Sequence, residues 1–139
     1  MSDAAVIARF QKEMALESEG ALLDEAILIK GVTAALSDPS KGTYYVVRTE
    51  GGDAAGSLLL TKEWSDWNNC WHWWIQSVYV MPEYRRQGAF ASLFNKVRAL
   101  AAEEGAYSLR LYVDRNNAGA KTCYGRLGME ESHYLMYEC

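Results

Sequence analysis

The chain is poor in metal-binding residues and in the charge that attracts polyanions. It has two histidines and three cysteines. Cys70, Cys123 and Cys139 are odd in number and lack metal-ligand spacing. A disulfide framework and a zinc site are therefore set aside, and a reduced, cytoplasmic compartment is expected. Basic residues are outnumbered, with 14 Lys and Arg against 18 Asp and Glu for a net charge of −4. That balance argues against nucleic acid as a partner, because such binding draws on many Lys and Arg contacts to phosphate. No apolar run approaches the roughly 20 residues that span a bilayer, and no basic segment followed by an apolar one opens the chain, so no membrane partner is expected either. Linkers, repeats and low-complexity tracts are also missing. What remains is 139 residues, half of them hydrophobic. A chain of that size buries about two thirds of its unfolded surface, which suits one domain over residues 1–139.

Proline occurs twice, at Pro39 and Pro82, and the second is the more telling. From Ser77 an apolar run through Val78, Tyr79 and Val80 halts at Pro82, which cannot donate to a sheet ladder. The chain then crosses the basic turn Arg85-Arg86-Gln87-Gly88 and enters a helix at Ala89, Phe90 and Ala91. Gly88 lets the backbone approach a ligand closely, and the free N–H groups of a first helical turn face an anion at the positive end of the helix. Arg85 and Arg86 by themselves read as a solvated pair. The adjoining Gly88 turns the reading toward phosphate. Neither a Gly-Lys-Ser/Thr sequence nor a three-glycine dinucleotide fingerprint is present, so the phosphate is of another kind.

Around this turn the periodicities give an order of elements. Apolar residues at helical spacing run from about Asp3 to Glu19, with Asp3 as a capping residue, and again from Leu22 to Leu36 until Asp38-Pro39 stops them. Thr43–Thr49 and Ala54–Lys62 form a hairpin across Glu50-Gly51-Gly52-Asp53, and Trp71–Val80 is a long strand. A helix follows the turn and ends near Gly105. Leu109–Val113 reads as a strand, Asn117–Leu127 as a helix and Tyr134–Tyr137 as a last strand. Trp71 and Trp73 share one face of their strand, with His72 and Trp74 on the other. Both faces are apolar enough to be covered, as on a central strand. Cys123 reads as a core residue.

Two segments carry a resemblance. Arg85-x-x-Gly88-x-Phe90 after Val78-x-Val80-x-Pro82 resembles the acetyl-CoA signature of the GNAT superfamily of N-acetyltransferases. Asn117-x-x-Ala120-x-x-x-Tyr124-x-x-x-Gly128-Met129 is similar to a later motif of that superfamily. Phe90 stands where the pattern usually has Gly or Ala. The resemblance runs from about Thr43 to Glu138. It implies an α/β (α+β) fold: a mixed, mostly antiparallel central sheet with helices on both faces. The opening strand of that fold is expected to be absent and its last two reduced to one. Exposed edges of this kind invite pairing, so a homodimer is expected.

The resemblance also implies chemistry: direct acetyl transfer from acetyl-CoA to the primary amine of a small molecule, without a metal. Val78, Tyr79 and Val80 would bind the pantetheine arm, and Arg85, Arg86, Gln87, Gly88, Ala89, Phe90 and Ala91 the diphosphate. Asn117 would hold the arm or nearby backbone, or simply cap its helix, and Tyr124 would be the general acid. Out of context, Tyr124 would be a half-buried core residue. The general base stays open among Glu63, Asp66 and His72. Glu63 and Asp66 lie beside Trp64 and Trp67, where aromatic faces and carboxylates could hold a cationic amine or merely border a solvated loop. A lone strand His such as His72 is more often structural. Gln76 either meets substrate or satisfies a core carbonyl, and Asp24 and Glu25 border the acceptor if the second helix forms a lid. The alternatives to an enzyme are a non-catalytic acyl-CoA-binding module, which would bind through the same turn without turnover, and an interaction domain using the Trp-rich segment.

Overall fold

The computed structural model describes residues 2–139. Two helices open it, α1 (Asp3–Glu19) and α2 (Glu25–Ser37). Ser2, not Asp3, caps α1, and Asp3 instead meets Arg48 at 2.6 Å. Asp24 caps α2 by accepting the Ile27 N–H at 2.9 Å, so this helix starts three residues later than its apolar pattern suggested. Leu22, before the cap, is 89 % exposed and packs on nothing that would hold it helical.

The sheet has four strands in the order β1 (Thr43–Arg48), β2 (Ala54–Ser65), β3 (Cys70–Val80) and β4 (Ser108–Leu111). The first two pairings are antiparallel, and β3 with β4 is parallel. Helix α3 (Ala89–Glu103) forms the crossover from β3 to β4, and α4 (Ala118–Arg126) follows β4. Strand alternation sorts the layers. Tyr45 and Val47 pack on a core of Leu58, Leu60, Trp73 and Ile75 with Leu93, Phe94 and Val97 of α3. Tyr44 and Val46 pack on Ile7, Ala8 and Val32 from α1 and α2. Helices therefore cover both faces of a mostly antiparallel mixed sheet, and among the described residues no strand precedes α1.

Two irregularities of β3 position the site. Leu59 opposes Gln76 while Ser57 opposes Tyr79, so Ser77 and Val78 together face Leu58 in a β-bulge, with Ser77 at φ 52°. The ladder to β4 covers only His72 to Ile75. From Gln76 through the bulge to Val80, β3 has no β4 partner, and the two strands diverge.

Three expectations are corrected. Tyr134–Tyr137 is not a strand: the segment joins no ladder, and its four apolar residues are 63–89 % exposed. Strand-favouring side chains do not make a strand without a partner edge. Cys123 is exposed rather than buried, because only Tyr124 of the pair turns inward from α4. Cover on the Trp-rich strand is partial as well. Trp73 is buried under α3, whereas Trp71 lies beyond the helix, 44 % exposed and edge-on to Trp64 with ring centroids 5.0 Å apart. No helix among the described residues is long and apolar enough to cross a membrane.

Candidate active site

At Met81 the chain leaves β3, makes a 3₁₀ turn over Pro82–Tyr84 and enters α3 through Arg85–Gly88. Arg86 has φ 63° and Gly88 φ 83°, the left-handed geometry that glycine adopts at little cost. No side chain caps α3 at Gly88, and its first helical bond runs from the Ser92 N–H to the Gly88 carbonyl at 2.9 Å. The N–H groups of Ala89, Phe90 and Ala91 thus stand at the positive helix end without a helical acceptor. A Cβ at Gly88 would meet nothing within 4 Å, so the mouth of this turn is open.

The two arginines part company. Arg86 is exposed at the turn. Arg85 turns away: its two Nη atoms donate to both carboxylate oxygens of Glu17 at 2.5 and 2.7 Å, and its Nε donates to the Val80 carbonyl at 2.9 Å. It is a clamp between α1 and the end of β3. The ion pair holds the Glu17 carboxyl below its ordinary range, chiefly through the hydrogen bond from Arg85. Gln87 donates to the Glu83 carbonyl at 2.8 Å and braces the turn.

On β3, the Met81 N–H donates back to the Ala55 carbonyl at 2.8 Å. Alternation along the strand then directs the Val80 N–H to the opposite, open edge. The Val78 side chain packs on the core. Tyr79 points at α1, with its ring 5.4 Å from Phe10 and its hydroxyl donating to Glu13 at 2.9 Å. Burial first, and that hydrogen bond second, push the Tyr79 phenol up to about 12. Val78 and Tyr79 thus turn their side chains away from the opening between β3 and β4 and leave their backbone to it.

Across that opening lies α4. Asn117 caps it, with Oδ1 accepting the Ala120 N–H at 3.1 Å. One helix turn and more beyond, Tyr124 is half-buried and edge-on to Phe90, with ring centroids 5.6 Å apart. Phe90 also leans on Phe94, 6.0 Å away, and on the core. The bulk at this position is thus turned inward and supports Tyr124. Burial raises the Tyr124 phenol above its ordinary value, and Cys123 adds to the effect.

The carboxylates separate. Glu63 faces His72 in register and lies 4.0 Å from Arg110. It shares the sheet face of Trp74, which stacks on Tyr112 at 4.6 Å and lies under Arg110 at 5.7 Å. On that face Gln76 also donates to Thr61 at 2.6 Å. Asp66 sits in the hairpin between β2 and β3, at the other end of β3 from the basic turn. That is roughly 30 Å away at about 3.3 Å per strand residue. The structure does not bring Asp66, Trp67 or Trp64 to the opening. His72 is buried and bonded to Ser108 through Nδ1 at 2.6 Å, a structural arrangement. Asp24 is a cap, and Glu25 pairs with Lys12 at 3.0 Å. Among the described residues no group of three His, Cys, Asp or Glu is placed to hold a metal.

The sequence reading missed Glu17, which looked like one more charge near the end of an amphipathic helix. Sixty-eight positions separate it from Arg85, and no local pattern announces such a pair.

An open strand edge, leading into uncapped helix amides beside a half-buried phenol, suits an extended ligand that carries amides and ends in phosphate. Relatives share this frame. The chain superposes on the crystal structure of a possible acetyltransferase from Clostridium difficile 630 with TM-score 0.91 and 44 % identity, covering 99 % of this chain and 90 % of that one. An integron cassette protein from the mobile metagenome of Cole Harbour Salt Marsh, 23 % identical with TM-score 0.84 over 99 % and 84 % of the two chains, has the same fold. Thialysine N-epsilon-acetyltransferase from Bos taurus is 36 % identical over 58 residues, which are 42 % of this chain and 34 % of that protein. The chain spans about a third of the length of the curated relatives it matches. The model of the acetyltransferase (GNAT) family matches residues 7–129, a span that takes in most of α1, the bulged β3, the uncapped turn and Tyr124; the chain belongs to that family.

Proposed function

We propose that the chain is an acyltransferase that moves an acetyl group from acetyl-CoA directly to the primary amine of a small molecule. The observation that carries this reading is the stretch Gln76–Val80, unpaired on its β4 side, which leads through the basic turn to the uncapped amides of Ala89, Phe90 and Ala91. The residues fit the co-substrate. An extended arm with amides can add to β3 as another strand would, and a diphosphate can take the helix N–H groups. Arg86 supplies positive charge there, Gln87 and Gly88 shape the turn, and Arg85 with Asn117 holds the frame. When bound, acetyl-CoA supplies an activated acyl group on a thiol leaving group.

The protein's own groups do the rest. The Val80 N–H points to the open edge and is the hydrogen-bond donor for the acyl oxygen. Tyr124 Oη is the proton donor for the departing sulfur; a phenol carries its proton at neutral pH, and burial only raises its pKa further. Neither carboxylate is retained as base: Asp66 lies in the far hairpin, and Glu63, opposite His72, stands eight β3 residues from Val80, roughly 26 Å at about 3.3 Å per residue. The three free cysteines support a reducing, cytoplasmic setting. The exposed Tyr134–Tyr137 and the open outer edge of β4 support self-association as a homodimer. The test is thiol release from acetyl-CoA over a panel of amines. Turnover that collapses in Tyr124→Phe with unchanged coenzyme affinity supports the reading. Coenzyme binding without turnover on any amine replaces it with a non-catalytic acyl-CoA-binding module.

A further inference from the structure

Between α1, α2 and the sheet lies a groove of about 450 Å³, walled by Met14, Leu23, Ile27 and Val32 and reaching Tyr44 and Ser77. Two of its features point to a ligand. Gln11 lines it, is only 6 % exposed, and its buried Nε2 has no hydrogen-bond partner in the protein. A buried donor left in this state destabilises the fold unless something else satisfies it. The groove also ends at Ser77, the bulge residue next to the unpaired edge of β3. A molecule seated there has one end at Gln11 and the other at the opening between β3 and β4.

We infer that this groove holds the acceptor, and that it selects a primary amine with an apolar body and a neutral carbonyl oxygen, such as an aliphatic or aromatic amino-acid amide. The inference rests on the acetyl-transfer reading above and gives its substrate class. The carbonyl oxygen satisfies Gln11 Nε2 after a small rotation of the side-chain amide. The apolar body fills the space between Met14, Leu23 and Ile27, where the pliable Met adapts to its shape. The amine is left toward Ser77. Charge excludes the free amino acid. Among the described residues no Lys or Arg lines the groove, and Glu19 does, so a carboxylate there would be desolvated beside an anion without a partner. A polyamine has no oxygen for Gln11, and its further ammonium groups would be desolvated against Met14, Leu23 and Ile27.

The test titrates leucinamide, phenylalaninamide, leucine, phenylalanine and spermidine into the full chain, following binding by NMR without coenzyme and turnover with acetyl-CoA. The amides are expected to bind and to have a KM well below that of the free acids and of spermidine. Gln11→Leu is expected to weaken amide binding and raise its KM about tenfold, as for one lost hydrogen bond, with kcat and acetyl-CoA affinity unchanged. Gly31→Leu is the second variant. Gly31 lines the groove within α2, and a Cβ there meets nothing within 4 Å. The substitution fills the groove while favouring the helix, so amide binding is lost with an equal or higher Tm. Free acids that match or outrank the amides would overturn the inference, as would amide affinity indifferent to both variants. Gln11-dependent amide binding without any acetylation would sink the acetyl-transfer reading and leave the pocket standing.

Discussion

Gly56 on β2 lies opposite Val80, where β3 leads into the basic turn. A Cβ added there would sit 2.5 Å from the Tyr79 carbonyl oxygen and 3.1 Å from Val80 Cα. Ordinary carbon–oxygen contact begins at about 3.3 Å, so Gly56→Ala pushes the end of β3 outward by most of an ångström. Both obstacles are backbone, and no rotamer change relieves them. Overpacking of this kind costs about 1–3 kcal/mol. In a chain of this size that is a fall in Tm of roughly 3–12 °C. Because the displaced residues carry the Val80 N–H and the entry to the helix amides, acetyl-CoA affinity is expected to drop about tenfold with them. Gly31→Ala is the control of opposite sign. Its Cβ enters open space in a helix interior, and stability rises by about 0.5–1 kcal/mol. Thermal and urea unfolding measure both variants, and calorimetry measures the coenzyme. A Gly56→Ala protein with wild-type Tm and wild-type Kd would refute the reasoning, as would a Gly31→Ala protein that falls as far.

Tyr124→Phe is expected to lower kcat about 100-fold with the acetyl-CoA Kd unchanged, measured by thiol release and calorimetry; unchanged kcat removes the acid from Tyr124. Glu63→Gln and Asp66→Asn are both expected to leave kcat near wild type, since both carboxylates lie far from Val80; steady-state kinetics showing a collapse in either variant would reinstate that carboxylate as base. Glu17 titrates below its ordinary 4.5, so the Arg85 clamp contributes stability above that pH and loses it as pH falls through the depressed value. Urea unfolding of Glu17→Gln should show at most about 1 kcal/mol lost at pH 7, since the pair is half-exposed, and a shallower decline toward pH 3. Tyr79 titrates at about 12 against an ordinary 10.0. Its contribution is complete below about pH 10 and disappears as pH climbs toward 12, and Tyr79→Phe should flatten that alkaline limb in the same unfolding assay.

Much of the fold was legible because its signals are local. The helical spacing of α1 and α3, the hairpin turn, Pro82 closing β3 and Gly88 opening α3 each depend on a few neighbouring residues, and each element appears within a few positions of where they place it. The site was legible only in outline. The same local rules located the turn and Asn117. They could not say that Arg85 would leave the turn for Glu17, since that contact depends on how α1 crosses the end of β3. Proximity in sequence misled for Glu63 and Asp66 alike, because the tryptophans that flank them lie at the end of the sheet away from the basic turn. Tyr134–Tyr137 misled differently. Its composition favours a strand, but composition says nothing about whether an edge is offered. Gln11 gave no signal, because an amide on a helix becomes informative only when its surroundings leave it unpartnered.

Helix α1 reaches two places at once. Gln11 and Met14 line the groove, while Glu17, one to two turns further, is held by the same guanidinium that grips the carbonyl of Val80. A single rigid rod therefore connects the groove proposed for the amine with the turn proposed for the coenzyme. Whatever factor coenzyme binding adds to amine affinity, the amine must return to the coenzyme, because linkage between two ligands on one protein is symmetric. Measuring either Kd at saturation of the other ligand gives the strength of that mechanical connection, and cutting Arg85 away from Glu17 should bring the factor toward one.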